Sequence, residues 1–211
     1  MEISTFEVGP FLENTYLLEK NGDAIVIDPG FSTESEYQVF KKKFLASGTQ
    51  LLAVVLTHAH VDHVLGLQRL LNDYKVPVYL NPADPFLWEN FESQSTMFGL
   101  HQVAFGFVPD SLPDEGEFET GEFKITCLFT PGHAPDHTSL YFSDEGVVIS
   151  GDALFKESIG RTDLYKGNFE LLKQSILDKF YTLPDATKVY PGHGAATTIA
   201  HEKQHNPFVK P

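Results

Sequence analysis

Residues 54–67 read VVLTHAHVDHVLGL. The apolar run at 51–56 is too short for a helix and rich in strand formers, so it reads as a buried strand. After His63 the apolar residues return, with Leu67, Leu70, Leu71 and Tyr74 at helical spacing. A helix is therefore expected over about 63–73. His58, His60, Asp62 and His63 fall at the junction between the two. Alternate residues of an extended loop can face the same way, so His58 and His60 can share one ion, with Asp62 and His63 facing a neighbouring point. Neutral imidazoles beside a carboxylate suit zinc, or iron with open positions.

Working outward, the same pattern returns. Strands are expected at 14–19 and 23–28, joined by a turn containing Asn21-Gly22, a strong hairpin signal. DPG at 28–30 stops the second of them, and a helix follows at about 33–46. Its KKK at 41–43 lies opposite an apolar face of Tyr37, Phe40 and Phe44, so it reads as a solvated surface. PVYL at 77–80 is a further strand. Later strands are expected at 122–129, 138–142 and 146–150, then a helix at 168–181 with Asn168 as its N-cap. A last strand leads into PGHG at 191–194, and a short helix covers about 197–204.

DAIVIDPG in the first half echoes EGVVISGD in the second, each a strand ending in an aspartate. LLAVVLTHAH echoes TKVYPGHG, each a strand ending in a histidine. A helix separates the members of each pair. A repeated strand–helix unit implies two sheets with helices outside them. Residues 81–116 break the pattern. They carry the single tryptophan and five phenylalanines between several turn residues. Partial helix is expected there, as packing against a sheet or as a pocket wall.

Chemistry needs a cluster, and the strand ends supply one. To the opening stretch the chain adds His133, Asp136 and His137 in TPGHAPDH, Asp152 in SGDALF and His193 in PGHG. Singly, each has a bland reading: a helix cap for Asp62, a turn for Asp28 or Asp152, a loop tip for His193. Together, five histidines and two aspartates at motif positions exceed what one tetrahedral ion needs. A two-ion site with a shared carboxylate fits that number. His101, His201 and His205 have no such company and read as surface or structural.

The totals narrow the function classes. A chain of 211 residues, 42% of them hydrophobic, suggests one domain over 1–211 with a sizeable core. The formal net charge of −14 argues against a nucleic-acid partner. No apolar run reaches the ~20 residues of a bilayer span, and the first residues lack the features of a signal peptide. The single cysteine, Cys127, excludes an internal disulfide, which fits a cytoplasmic protein. Oligomeric state is not legible.

THAHVDH at 57–63, PGHAPDHT at 131–138, GDALF at 151–155 and PGHG at 191–194 resemble the ordered motifs of the metallo-β-lactamase superfamily. Within it, TPGHAPDHTSLYF and GDALFKESIGRTDL look most like glyoxalase II-like hydrolases, and TTIAHEKQHNPF resembles the ending of their short bacterial members. The resemblance implies an α/β, four-layer αββα sandwich with two divalent ions, zinc first, iron or manganese as alternatives. It implies His58, His60 and His133 on one ion, Asp62, His63 and His193 on the other, and Asp152 between them. Asp28 would support the ligand loop from behind, and His137 is not expected to be a ligand. Asp62 would orient the metal-held hydroxide and take its proton. The implied activity is hydrolysis of a thioester such as S-lactoylglutathione, with Arg161 near a substrate carboxylate. The rival on the same fold is a persulfide dioxygenase with one iron on His58, His133 and Asp152. Asp152 stands where β-lactam-cleaving members place a cysteine near the second ion, which argues against a β-lactam substrate. The C-terminal helical extension that helps hold glutathione in long members is not expected, which leaves the thiol carrier open.

Overall fold

A computed structural model describes all residues 1–211. The chain divides into two compact units. The first comprises Met1–Leu112 with Thr120–Phe123, the second Pro113–Glu119 with Lys124–Pro211.

The first unit is built on a six-stranded sheet. Its strands are β1 (Glu2–Val8), β2 (Glu13–Lys20), β3 (Asp23–Ile27), β4 (Gln50–Val55), β5 (Val78–Leu80) and β6 (Asp110–Ser111), in that spatial order. β2 and β3 pair antiparallel through the Asn21-Gly22 turn, and β3 and β4 pair parallel. The crossover between β3 and β4 is helix α1 (Glu34–Ser47). Thr33 caps it, Glu36 reaches back to close a capping box, and Gly48 ends it in the left-handed region. Tyr37, Phe40 and Phe44 are buried as expected. Lys41 and Lys43 lie outside, paired with Asp73 and Glu2 at 2.7 Å each.

Two expectations change in this unit. β1 was not legible, because Ile3, Phe6 and Val8 break the two-residue period and Val8 alone of this edge strand is buried. The helix expected over 63–73 is two pieces, α2 (Val61–Val64) and α3 (Leu67–Asp73). They are separated at Gly66, whose N–H donates to the Pro29 carbonyl at 2.7 Å. A side chain at 66 would collide with Phe31, so the crossing loop uses the donor that a continuous helix would need.

Segment 81–116 holds two short helices, α4 (Phe86–Glu89) and α5 (Phe91–Met97). Trp88 and Phe91 stack on Phe105 at 4.5 and 4.6 Å, and the Trp88 indole donates to the Phe107 carbonyl. These aromatics make a core of their own.

The second unit repeats the plan. Its sheet runs β14 (Thr197–Thr198), β13 (Lys188–Pro191), β10 (Val147–Gly151), β9 (Thr138–Phe142), β8 (Phe123–Phe129) and β7 (Glu115–Thr120). β9 and β10 pair antiparallel, and β10 and β13 pair parallel. The crossover between β10 and β13 contains α6 (Phe169–Ser175), which continues into a π-turn at Ile176–Phe180. Leu172, Ile176 and Phe180 from this crossover pack with Val148, Val189 and Ile199 in the buried core. A small hairpin, β11 (Leu154–Phe155) and β12 (Ser158–Ile159), follows β10, and α7 (Ile199–His205) closes the unit. The strand–helix repetition read from DAIVID/EGVVIS is thus present as two sheets with the same antiparallel-then-parallel pairing. The hairpin β11–β12 and strands β7 and β14 were not foreseen. Three of these four strands are two residues long, below the length at which alternation can be read.

Candidate metal centre

Parallel pairing sets the site in each unit. In the first, Ile27 and Val55 are in register, so the chain leaves β3 and β4 at the same level. Asp28 comes directly after β3, buried and with φ of 48°, and Thr57 two residues after β4. The Asp28 carboxylate accepts from the Thr57 N–H at 2.7 Å and the Thr57 hydroxyl at 2.6 Å. It also accepts from His63 Nδ1 at 3.0 Å. A carboxylate only accepts, so His63 carries its proton on Nδ1 and its lone pair on Nε2. The Thr57 hydroxyl has given its hydrogen to Asp28, so His58 Nδ1, 3.0 Å from that oxygen, donates to it. His58 likewise keeps its lone pair on Nε2. His58 Nε2 lies 3.0 Å from His60 Nδ1, and the His58 and His63 rings are 4.1 Å apart. All three histidines are buried. Asp62 sits in the first turn of α2, half-exposed.

The second unit mirrors this. Gly151 and Pro191 are in register, and the Gly192 N–H donates to the Gly151 carbonyl at 2.8 Å. Asp152 and His193 therefore emerge side by side. Asp152 Oδ2 lies 3.5 Å from His193 Nε2 and 3.4 Å from His133 Nε2. His133 Nδ1 is 2.8 Å from the Arg161 carbonyl, which fixes the proton there and the lone pair on Nε2.

These spacings match a coordination sphere. Ligands ~2.0–2.1 Å from a tetrahedral ion stand about 3.3 Å from one another. The Asp152 distances are that long, and longer than a good hydrogen bond. The donor set of imidazole and carboxylate suits a borderline divalent ion, so these residues fit one.

His137, expected not to be a ligand, has a different task. Its Nε2 accepts the Asp152 backbone N–H at 2.9 Å, so its proton is on Nδ1. Nδ1 donates to the Thr130 hydroxyl at 2.8 Å, and Thr130 in turn bonds the Ser139 hydroxyl at 2.8 Å. This buried chain holds Asp152 by its backbone. Gly160 matters for a related reason: a Cβ there would lie 1.9 Å from the Asp152 carbonyl and 3.0 Å from His133 Nδ1. Only glycine lets the loop come close enough to present the Arg161 carbonyl to His133.

The Arg161 guanidinium, expected near a substrate carboxylate, holds Asp163 in two hydrogen bonds of 2.7 and 2.8 Å. It keeps the Asp163 carboxyl down at about 2. Glu13 escaped the sequence reading. It is buried, with Oε1 4.0 Å from His63 Nδ1, and burial pushes its carboxyl well above the usual range. Its one signal was a charged residue opening an almost fully buried strand.

The family model described as the Metallo-beta-lactamase superfamily matches residues 8–193. The chain belongs to the metallo-beta-lactamase superfamily. It is 38% identical over 203 residues to a probable metallo-hydrolase, YqgX, of Bacillus subtilis, covering 96% of this chain and 94% of that one. It is 36% identical over 215 residues to the hydroxyacylglutathione hydrolase GloC of Haemophilus influenzae, covering 99% and 98%. Among solved structures it resembles the BLEG-1 B3 metallo-beta-lactamase, with a TM-score of 0.90, 34% identity and full coverage of both chains. It also resembles TTHA1623 in a di-iron-bound form, with a TM-score of 0.86, 36% identity and coverage of 99% and 100%. The metallo-β-lactamase fold expected from the motifs is therefore the fold of this chain, and metallo-hydrolase is its class. Superfamily membership brings divalent metal ions with it. No helix is long and apolar enough to cross a membrane.

Proposed function

We propose that the protein is a thioester hydrolase using two divalent ions, with S-lactoylglutathione as its type substrate. In this reading His58, His60 and His133 would hold one ion and Asp62, His63 and His193 the other, with Asp152 available to both. The observation that carries it is the Asp152 carboxylate set between His133 and His193 at coordination spacing. Divalent ions held by these residues would supply an acidified water and an electrophile for the acyl carbonyl. Asp62, half-exposed at the start of α2, takes the proton released as the C–O bond forms. The C–S bond breaks to a thiolate whose conjugate acid has a pKa of ~8.5, so no general acid is required. Arg161, already gripped by Asp163 in an exposed pair of small net worth, exchanges that partner for a substrate carboxylate.

GloC supports the substrate class. A protein of nearly the same span is named a hydroxyacylglutathione hydrolase, so the short chain does not argue against glutathione as the thiol carrier. Zinc is the first candidate for the metal and iron the second, the latter on the di-iron form of TTHA1623. A persulfide dioxygenase with one iron on His58, His133 and Asp152 would leave His193 without a task, although it faces Asp152 as His133 does.

The test is Asp152→Ala. Metal content by elemental analysis and turnover of S-lactoylglutathione are expected to fall together. A variant with full metal content and full turnover would sink the reading. A β-lactam and glutathione persulfide, the latter with oxygen uptake, complete the substrate panel. Turnover of either in place of the thioester would replace the substrate assignment.

A further inference from the structure

Helix α7 carries the run HEKQH at 201–205, two histidines one turn apart with a glutamate between them. This is the H-E-x-x-H pattern of helical zinc sites, in which both histidines bind the ion and the glutamate serves as base. Here the two halves of the pattern are separated. The His201 and His205 rings face one another with centroids 4.6 Å apart, His201 half-exposed and His205 exposed. Glu202 is fully buried and committed elsewhere. Its Oε1 accepts from the Thr197 hydroxyl at 2.6 Å. Its Oε2 accepts from the Glu157 N–H at 2.9 Å and from Asn206 Nδ2 at 3.0 Å. It cannot reach a substrate, so protease chemistry is excluded.

The same bond builds a third ligand. Glu157 lies in the β11–β12 turn with φ of 54°, a left-handed conformation that a non-glycine residue adopts at a cost. The buried Glu202 carboxylate holds it there through its N–H. Held so, Glu157 directs Oε1 to 2.9 Å from His201 Nε2. Two imidazoles at i and i+4 and one carboxylate are a donor set for a divalent transition metal, with water completing the sphere.

We propose that His201, His205 and Glu157 form a surface site for a divalent transition metal of the zinc class, separate from the centre around Asp152. The ion would tie α7 to the β11–β12 hairpin. That hairpin leads directly into Gly160 and Arg161, whose carbonyl orients His133.

The metal-loaded protein, titrated with Zn²⁺ by calorimetry, tests this. One further equivalent is expected to bind the unaltered protein and to be lost in the His201→Ala/His205→Ala variant, with thioester turnover and far-ultraviolet circular dichroism unchanged. Glu157→Gln is expected to keep the equivalent at weaker affinity. Equal Zn²⁺ stoichiometry in the unaltered protein and the double variant would overturn the site. Unchanged affinity in Glu157→Gln would overturn the three-residue assignment.

Discussion

The residues around Asp152 show how little of a candidate metal centre is made by its donor residues alone. His137 and the Arg161 carbonyl each fix one atom's position or one proton, and Gly160 makes the approach sterically possible. Gly160→Ala places a Cβ 1.9 Å from the Asp152 carbonyl, so the loop must move and His133 loses its partner. Metal affinity is expected to drop by ~10–100-fold, the usual effect of losing such a partner. Chelator competition measures it, and unchanged affinity would contradict the role given to the loop. Cys127 provides a check unrelated to the metal. Burial, with Glu115 and Glu117 adding to it, pushes its thiol from 9.0 up to about 12. The native protein should therefore resist iodoacetamide at pH 8 and react only on unfolding. The sign of the linkage follows: a raised folded-state value adds stability in full below the ordinary value of 9.0. That stability is lost as pH rises from 9 towards 12. Urea midpoints across that range should fall, and a rising midpoint would refute the assignment. His133, Asp152 and His193 were legible because each stands in a short motif at a strand end. The roles of His137 and the Arg161 carbonyl were not, because they lie 15 and 28 residues along the chain from Asp152 and His133, the residues they hold.

At the scale of elements, α6 supports the His133 loop from below. The Asn168 side chain caps it by accepting from the Leu171 N–H at 3.0 Å, and the Asn168 N–H donates to the Gly132 carbonyl at 2.7 Å. Ser175 reaches the Pro131 carbonyl at 2.8 Å. Gly132, with φ of 128°, passes so close to Leu172 that no side chain fits. Asn168→Ala removes the cap and is expected to cost about 1 kcal/mol. A urea unfolding curve should show a lower midpoint with an unchanged slope. Asn168 and the face formed by Leu172, Ile176 and Phe180 were readable as cap and period. The change to π geometry at Ile176–Phe180 was not, since it leaves no mark in the pattern, although the stretch ends at Tyr181 as expected. The break at Gly66 was missed for a similar reason: the cause is Pro29 and Phe31, far back in the chain.

At the scale of the whole molecule, the proposed centre would couple ion binding to folding, because candidate donors are buried in each unit, His58 and His63 in the first and His133 and Asp152 in the second. An ion at ~100 times its dissociation constant stabilises the folded state by ~2.7 kcal/mol. For a chain of this size each kcal/mol moves the melting temperature by ~2–4 °C. Chelation is thus expected to lower the melting temperature on the order of 5–10 °C, reversed by adding Zn²⁺. An identical melting curve with and without chelator would show that these residues hold no ion. What sequence by itself determined is the set of candidate donor residues and its order along the chain, together with the repeated strand–helix plan. Those features are local: residue type, hydrophobic period and turn residues all act within a few positions. Tertiary structure alone decided which nitrogen of each histidine keeps its lone pair, which glycines must be glycines, and that Glu202 of HEKQH is buried. Tautomer, close approach and desolvation are each set by partners brought from distant parts of the chain, and no local pattern encodes them.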